Sequence, residues 1–96
     1  MENDEVTRLL DLENWDLEDE TIALNLPEID RAYLAKYIEK YDGIIIDLSQ
    51  DLSNSVREAV ASNKNTPISI LKRLSISDKS IDVKNRAIST LKELRE

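Results

Sequence analysis

Apolar residues recur along the chain at three- and four-residue intervals, and helical periodicity therefore dominates the reading. The spacing predicts a first helix from about Asp4 to Leu12, with Val6, Leu9 and Leu10 on one face and Asp4 and Glu5 at its positive end. A second, shorter helix is expected near Asp16 to Leu24. Asp16 can cap it, Asp19 and Glu20 favour its first turn, and Leu17, Ile22 and Leu24 would be its apolar contribution. Pro27 opens a third helix, expected over Glu28 to Asp42, since a missing N–H costs nothing in a first turn. Ile29, Tyr33, Tyr37 and Tyr41 fall four residues apart on it, flanked by Leu34 and Ile38, as a half-buried packing stripe with hydroxyls at its rim, a ligand site being the alternative. Gly43 would stop this helix in the left-handed conformation.

The segment Ile44-Ile45-Ile46-Asp47-Leu48 has β-branched residues after a glycine, yet no second strand candidate exists to pair with it. It reads as a short buried helical turn or an extended connector, with an edge for dimer pairing as the alternative.

The C-terminal half carries a repeat. Asp51-Leu-Ser53-Asn-Ser-Val56-Arg57 returns 27 residues later as Asp78-Lys-Ser80-Ile-Asp-Val83-Lys84. Each copy has an Asp, a Ser suited to cap a helix, an apolar residue at the third helical position and then a base. Val56, Ala59, Val60 and Asn63 share a face in the first copy; Val83, Ala87, Leu91 and Leu94 do so in the second. Leu71-x-x-Leu74 fills the interval, and Ile45-x-x-Leu48 is its candidate predecessor. Between the copies, Asn63 can end a helix in the left-handed conformation, Thr66 can cap the next, and Pro67 suits its first residue. That next helix is expected from about Pro67 to Ser75. Units of this size cannot bury an apolar face alone and must stack on a neighbour.

Val56-Arg57-Glu58-Ala59-Val60-Ala61-Ser62-Asn63-Lys64-Asn65-Thr66-Pro67, followed by Ile70-Leu71-Lys72-Arg73-Leu74 and Asp78, resembles the leucine-rich repeat variant family. The resemblance covers about residues 48–91 and implies a right-handed superhelix of alternating α and short 3₁₀ helices. The second copy departs from the pattern at Thr90-Leu91-Lys92, where the family has Asn and Thr-Pro, and reads as a terminal cap. Ser75-Ile76-Ser77 lengthens the link to Asp78, which would alter the stacking angle. The family's founding type carries a cysteine cluster for an iron–sulfur centre; with no Cys in this chain, that role does not transfer. In the family the Arg after Val pairs with an Asp of the adjacent unit, so Asp78 or Asp51 is the expected partner of Arg57. The other reading places Arg57, Lys84 and Arg86 on one face as a ligand-binding group.

Composition narrows the chemistry. The 96 residues suit one domain. With no Cys, no His and one Gly, disulfides, the usual zinc sites, His-based acid–base catalysis and glycine-rich phosphate loops are excluded. A Ser nucleophile would need Lys or an N-terminal amine as its base, and no motif supports one. The net charge of −7 argues against direct nucleic-acid binding through phosphates. It is unevenly spread: residues 1–50 hold 14 acidic and 4 basic side chains, residues 51–96 hold 6 and 9. The two halves would attract and pack, or the acidic half would face a basic partner.

Asp16, Glu18, Asp19 and Glu20 form the densest acidic run and lack the spacing of a calcium loop. A solvated helix start is the plain reading and a partner-facing patch the sharper one. Trp15, the sole tryptophan, is expected as a core anchor at a helix joint or, if exposed, as an interface hot spot. The start Met1-Glu2-Asn3-Asp4-Glu5 is the opposite of a basic signal segment, and no apolar run approaches a membrane span, so the cytoplasm is the expected setting.

The resulting expectation is all-α: a short stack of two repeat-like units over 48–96, capped by acidic helices over 1–47. Its expected function is non-enzymatic binding of a protein with a basic surface, as an adaptor, inhibitor or regulatory module without cofactor or metal. Trp15, Asp16, Glu18, Asp19 and Glu20 are the candidate contact residues. The alternatives are an inhibitor that mimics nucleic acid, of phage or plasmid type, and a small assembly factor within a larger complex.

Overall fold

The computed structural model describes residues 4–95 and, among them, seven helices and no strand. In chain order these are α1 (Asp4–Asp11), α2 (Leu17–Leu24), α3 (Glu28–Tyr37), α4 (Asp42–Leu48), α5 (Asn54–Ser62), α6 (Ile68–Ser77) and α7 (Ile81–Leu94). The all-α class and the stacking of short helices follow the sequence pattern, but the expected alternation with short 3₁₀ helices does not. No 3₁₀ helix occurs among the described residues, and α6, with 10 residues, is an α-helix longer than the 9-residue α5.

The start of α1 follows it too: Val6 and Leu9 are sealed from solvent, and Leu10 is half-buried. Helix α2 begins at a reciprocal cap. The Asp16 carboxylate accepts from the Asp19 N–H at 2.9 Å, and the Asp19 carboxylate accepts from the Asp16 N–H at 3.1 Å. Its buried face differs from the expected one. Ala23 and the following Leu26 are buried and Ile22 is half-buried, whereas Leu17 is 80% exposed and Leu24 also faces out. Ile22, Ala23 and Leu26 share one side at helical spacing; Leu17, directly after the cap, lies off it.

Helix α3 is the larger correction. It starts after Pro27, which is its N-cap, and ends at Tyr37, short of the expected Asp42. Ile38 turns to an extended conformation, Tyr41 adopts φ 77°, ψ 75°, and α4 starts at once. The left-handed residue is thus Tyr41; Gly43 lies inside α4 and has no positive φ. The buried face of α3 is Leu34 and Ala35, continued by Ile38, while Ile29 is 78% exposed and Tyr33 and Tyr37 line the solvent side. The cause is tertiary. The Asn63 side-chain amide donates to the carbonyls of Ala35 at 3.0 Å and Ile38 at 2.7 Å, taking up the groups that a longer helix would have bonded internally.

The isoleucine run is helical: Ile44, Ile45 and Leu48 are buried in α4. This selects the short buried helical turn over the connector and the strand edge. Ile45 and Leu48 match the buried Leu71 and Leu74 of α6, as the repeat reading expected.

Ser53 and Ser80 cap α5 and α7, accepting from the N–H of Val56 and Val83 at 3.4 Å each. The joint between α5 and α6 is built differently from the expectation. Asn63 is extended (φ −85°, ψ 116°) and not left-handed. Pro67, with no side-chain cap, precedes α6, which runs past the expected Ser75 to Ser77. Ser75-Ile76-Ser77 therefore extends the helix rather than lengthening a link to Asp78, its C-cap. Thr66 faces backwards: its hydroxyl donates to the Val60 carbonyl at 2.8 Å and so closes the end of α5.

One hydrophobic cluster extends from Val6 and Leu9 through Leu34, Ile44, Val56 and Val60 to Leu74 and Ala87. Helix α5 packs between α3 and α7, with α6 against α7 and α4 against α5. Leu71 is buried as expected, but Leu91 is only half-buried.

Candidate binding groove at the acidic end

Trp15 sits at the corner between α1 and α2, half-buried against the core cluster. Its indole N–H donates to the Leu9 carbonyl at 3.1 Å, a group at the end of α1 that also accepts from the Leu12 N–H at 3.3 Å. Its ring stacks on Tyr41, centroids 5.4 Å apart and planes 27° apart. The Tyr41 hydroxyl in turn donates to the Glu20 carboxylate, which holds the phenol above its ordinary pKa. The corner is therefore anchored from α1, α2 and the α3–α4 connection together.

The acidic run does not act as a unit. Asp16 and Asp19 are bound in the cap of α2, Asp19 also accepts from Arg8 at 3.2 Å, and Glu20 holds Tyr41. The Asp16 N–H first, and then Arg8, hold the Asp19 carboxyl below its usual range. Glu18 is exposed and makes no hydrogen bond or ion pair. Among the described residues no three carboxylates are gathered as metal ligands.

Beside this corner a groove of about 460 Å³ opens between the α1–α2 and α3–α4 connections. Leu10, Leu12, Trp15 and Tyr37 line it, and the carboxylates of Glu13 and Glu39 stand at its rim with Lys40. Asp11, Glu13 and Glu39 are exposed and make no hydrogen bond or ion pair. The structure thus brings Trp15 into a concave site, leaves Glu18 on the nearby surface, and commits Asp16, Asp19 and Glu20 to internal contacts. Tyr37 and Tyr41, expected as part of a packing stripe, line the site instead, and Glu13 and Glu39, which no sequence pattern marks, join them. Only the early end of α3, set by Asn63 from another part of the chain, carries Tyr41 back to Trp15.

Arg57 is structural. Buried in α5, it donates to Asp78 at 2.9 Å and to the Asp51 carbonyl at 2.7 Å. Burial pushes the Asp78 carboxyl up, but hydrogen bonds from Arg57 and the Ser80 N–H outweigh it and leave the group below its ordinary pKa. A second such clasp lies one unit earlier: Arg31 donates to the Asp51 carboxylate at 2.9 Å and to the Leu26 carbonyl at 2.6 Å. Asp51 also accepts from the Ser53 N–H, as Asp78 does from that of Ser80. Helix α3 thus makes the same kind of Arg–Asp contact as α5, and the placing of Arg31 and Arg57 about 20 residues before Asp51 and Asp78 is the sequence signal for it. Burial removes Arg57 from any ligand face shared with Lys84 and Arg86.

Comparison with protein-family models, curated proteins and solved structures gives no match. No helix among the described residues is long and apolar enough to cross a membrane.

Proposed function

We propose that this chain is a non-enzymatic protein-binding module, an adaptor, inhibitor or regulatory protein of the cytoplasm, whose acidic end meets a basic protein surface. One observation carries the reading: exposed carboxylates with no internal partner, Asp11, Glu13 and Glu39, line a concave corner built on Trp15, and Glu18 in the adjoining α2 is likewise exposed and unpaired. Such carboxylates attract a basic partner at long range, while a held aromatic corner supplies contact area at small entropic cost. Kinship with the leucine-rich repeat variants belongs to this proposal and rests on the residues over 48–91. The internal engagement of Asp16, Asp19 and Glu20 favours a protein-facing surface over a phosphate-like row of carboxylates.

The test is association kinetics with a partner captured on the intact chain. Reversing Glu13, Glu18 and Glu39 to Lys together should slow association at least about tenfold at low salt and flatten its salt dependence. These positions are preferable to Asp19 and Glu20, whose reversal would also break the cap of α2 and the Tyr41 contact. Unchanged association rates would remove the acidic end from the interface.

A further inference from the structure

We propose that the groove beside Trp15 takes an arginine side chain from a basic, extended segment of the partner; this rests on the protein-binding reading above and assigns its contact chemistry. The walls are fixed in advance. Trp15 is held by Leu9 and Tyr41, and Tyr41 by Glu20 and by a left-handed backbone that a tyrosine adopts only when its surroundings impose it. A groove of about 460 Å³ is large enough for a long side chain together with the backbone that carries it. Leu10, Leu12 and the indole offer an apolar wall to the methylene stem.

The far end meets charge of the right sign. Glu13 and Glu39 are exposed at the rim with no hydrogen bond or ion pair, and Asp11 lies beside them. Lys40 is the one base lining the groove. Tyr37 packs against Tyr33, ring centroids 4.7 Å apart, with the Lys36 ammonium 5.5 Å from its own centroid. It stays 49% exposed and lines the groove, so an incoming guanidinium meets the rest of this ring in competition with Lys36. A guanidinium combines what the site offers: a flat face for an aromatic ring and a fork of donors for two carboxylates. An ammonium matches the charge alone and should bind less tightly.

The chain has one tryptophan, so its emission reports on the groove directly. The experiment titrates the full chain at low salt with a capped eight-residue peptide of alternating Arg and Gly, following Trp15 fluorescence and calorimetric heat in parallel. Lys/Gly and Glu/Gly peptides serve as comparisons. The Arg peptide should give a saturable change in Trp15 emission and the Lys peptide a weaker one; the Glu peptide should give none. Tyr37→Ala, on an exposed helix face, should weaken the Arg peptide at least about fivefold, and Glu13→Lys with Glu39→Lys at least about tenfold, at unchanged circular dichroism.

Heat of binding without a Trp15 response, and without sensitivity to Tyr37→Ala, would overturn the groove while leaving the acidic end as a binding surface. A Trp15 response that follows protein concentration in the absence of peptide would make a second copy the occupant and overturn the proposal. No binding of the Arg peptide at millimolar concentration would also overturn it, with the wider reading then decided by the captured partner.

Discussion

Arg57 in α5 and Asp78 before α7 meet at 2.9 Å across 21 residues of chain, with side chains only 6% and 4% exposed. Every polar atom here has a use: the guanidinium also reaches the Asp51 carbonyl and the Asn54 side chain, and the carboxylate also takes the Ser80 N–H. The pair ties the unit made of α5 and α6 to the start of the next.

Removing one partner leaves a buried charge uncompensated. Arg57→Ala should lose about 3–5 kcal/mol of unfolding free energy, measured by urea denaturation. Replacing both, as Arg57→Met with Asp78→Leu, should lose distinctly less, because no stranded charge remains. Arg31→Ala should also lose less, since Arg31 and Asp51 are 20% and 12% exposed. Equal losses for Arg57→Ala and the double variant would show that the charge is not desolvated.

Asp78 also sets an acid limit. Its carboxyl titrates below its ordinary value in the folded chain, so the folded state favours the ionised form. Its stabilisation is complete above the unfolded carboxyl pKa of about 3.9 and is lost as pH falls through the lower folded value. Urea midpoints should therefore fall below about pH 4, and Asp78→Asn, less stable throughout, should fall less steeply there. Parallel curves for the two proteins would exclude this residue as a source of acid sensitivity.

Asn63 joins α5 to the end of α3. Asn63→Ala strands the carbonyls of Ala35 and Ile38 and also takes the acceptor of the Asn65 N–H, at about 1–3 kcal/mol for each buried group left unpaired. Asn63→Asp should be at least as damaging at neutral pH, since a carboxylate keeps the acceptor but cannot donate to the carbonyls. A stable Asn63→Asp protein would mean that the early end of α3 has another cause.

The sequence displayed the parts of the fold that depend on neighbours in the chain. The Ser53 and Ser80 caps and the paired Leu71 and Leu74 were legible, and the family resemblance implied the clasp of Arg57 while leaving Asp78 and Asp51 open as its partner. What local pattern could not show was where a distant group intervenes. The tyrosine spacing continues past Tyr37, and nothing near it announces that Asn63 will take the Ala35 and Ile38 carbonyls. Thr66 followed by Pro67 has the form of a helix start, yet its hydroxyl turns back to Val60. The groove was hidden for the same reason: Trp15 was visible as a corner, but its wall of Tyr37 and Tyr41 exists only because α3 stops early.

The central claim is that the acidic helices and the repeated helices form one continuous stack, with the Trp15 corner fixed to the core it adjoins. The direct measurement is equilibrium urea unfolding of the intact chain, followed at once by Trp15 fluorescence and by far-ultraviolet circular dichroism. The first probe reads the corner of α1 and α2, and the second reads all seven helices. A single cluster from Val6 to Ala87 requires coincident transitions with the same midpoint and slope. A Trp15 transition completed at lower urea, with most of the helical signal intact, would show the acidic helices to be a separate appendage and contradict the account.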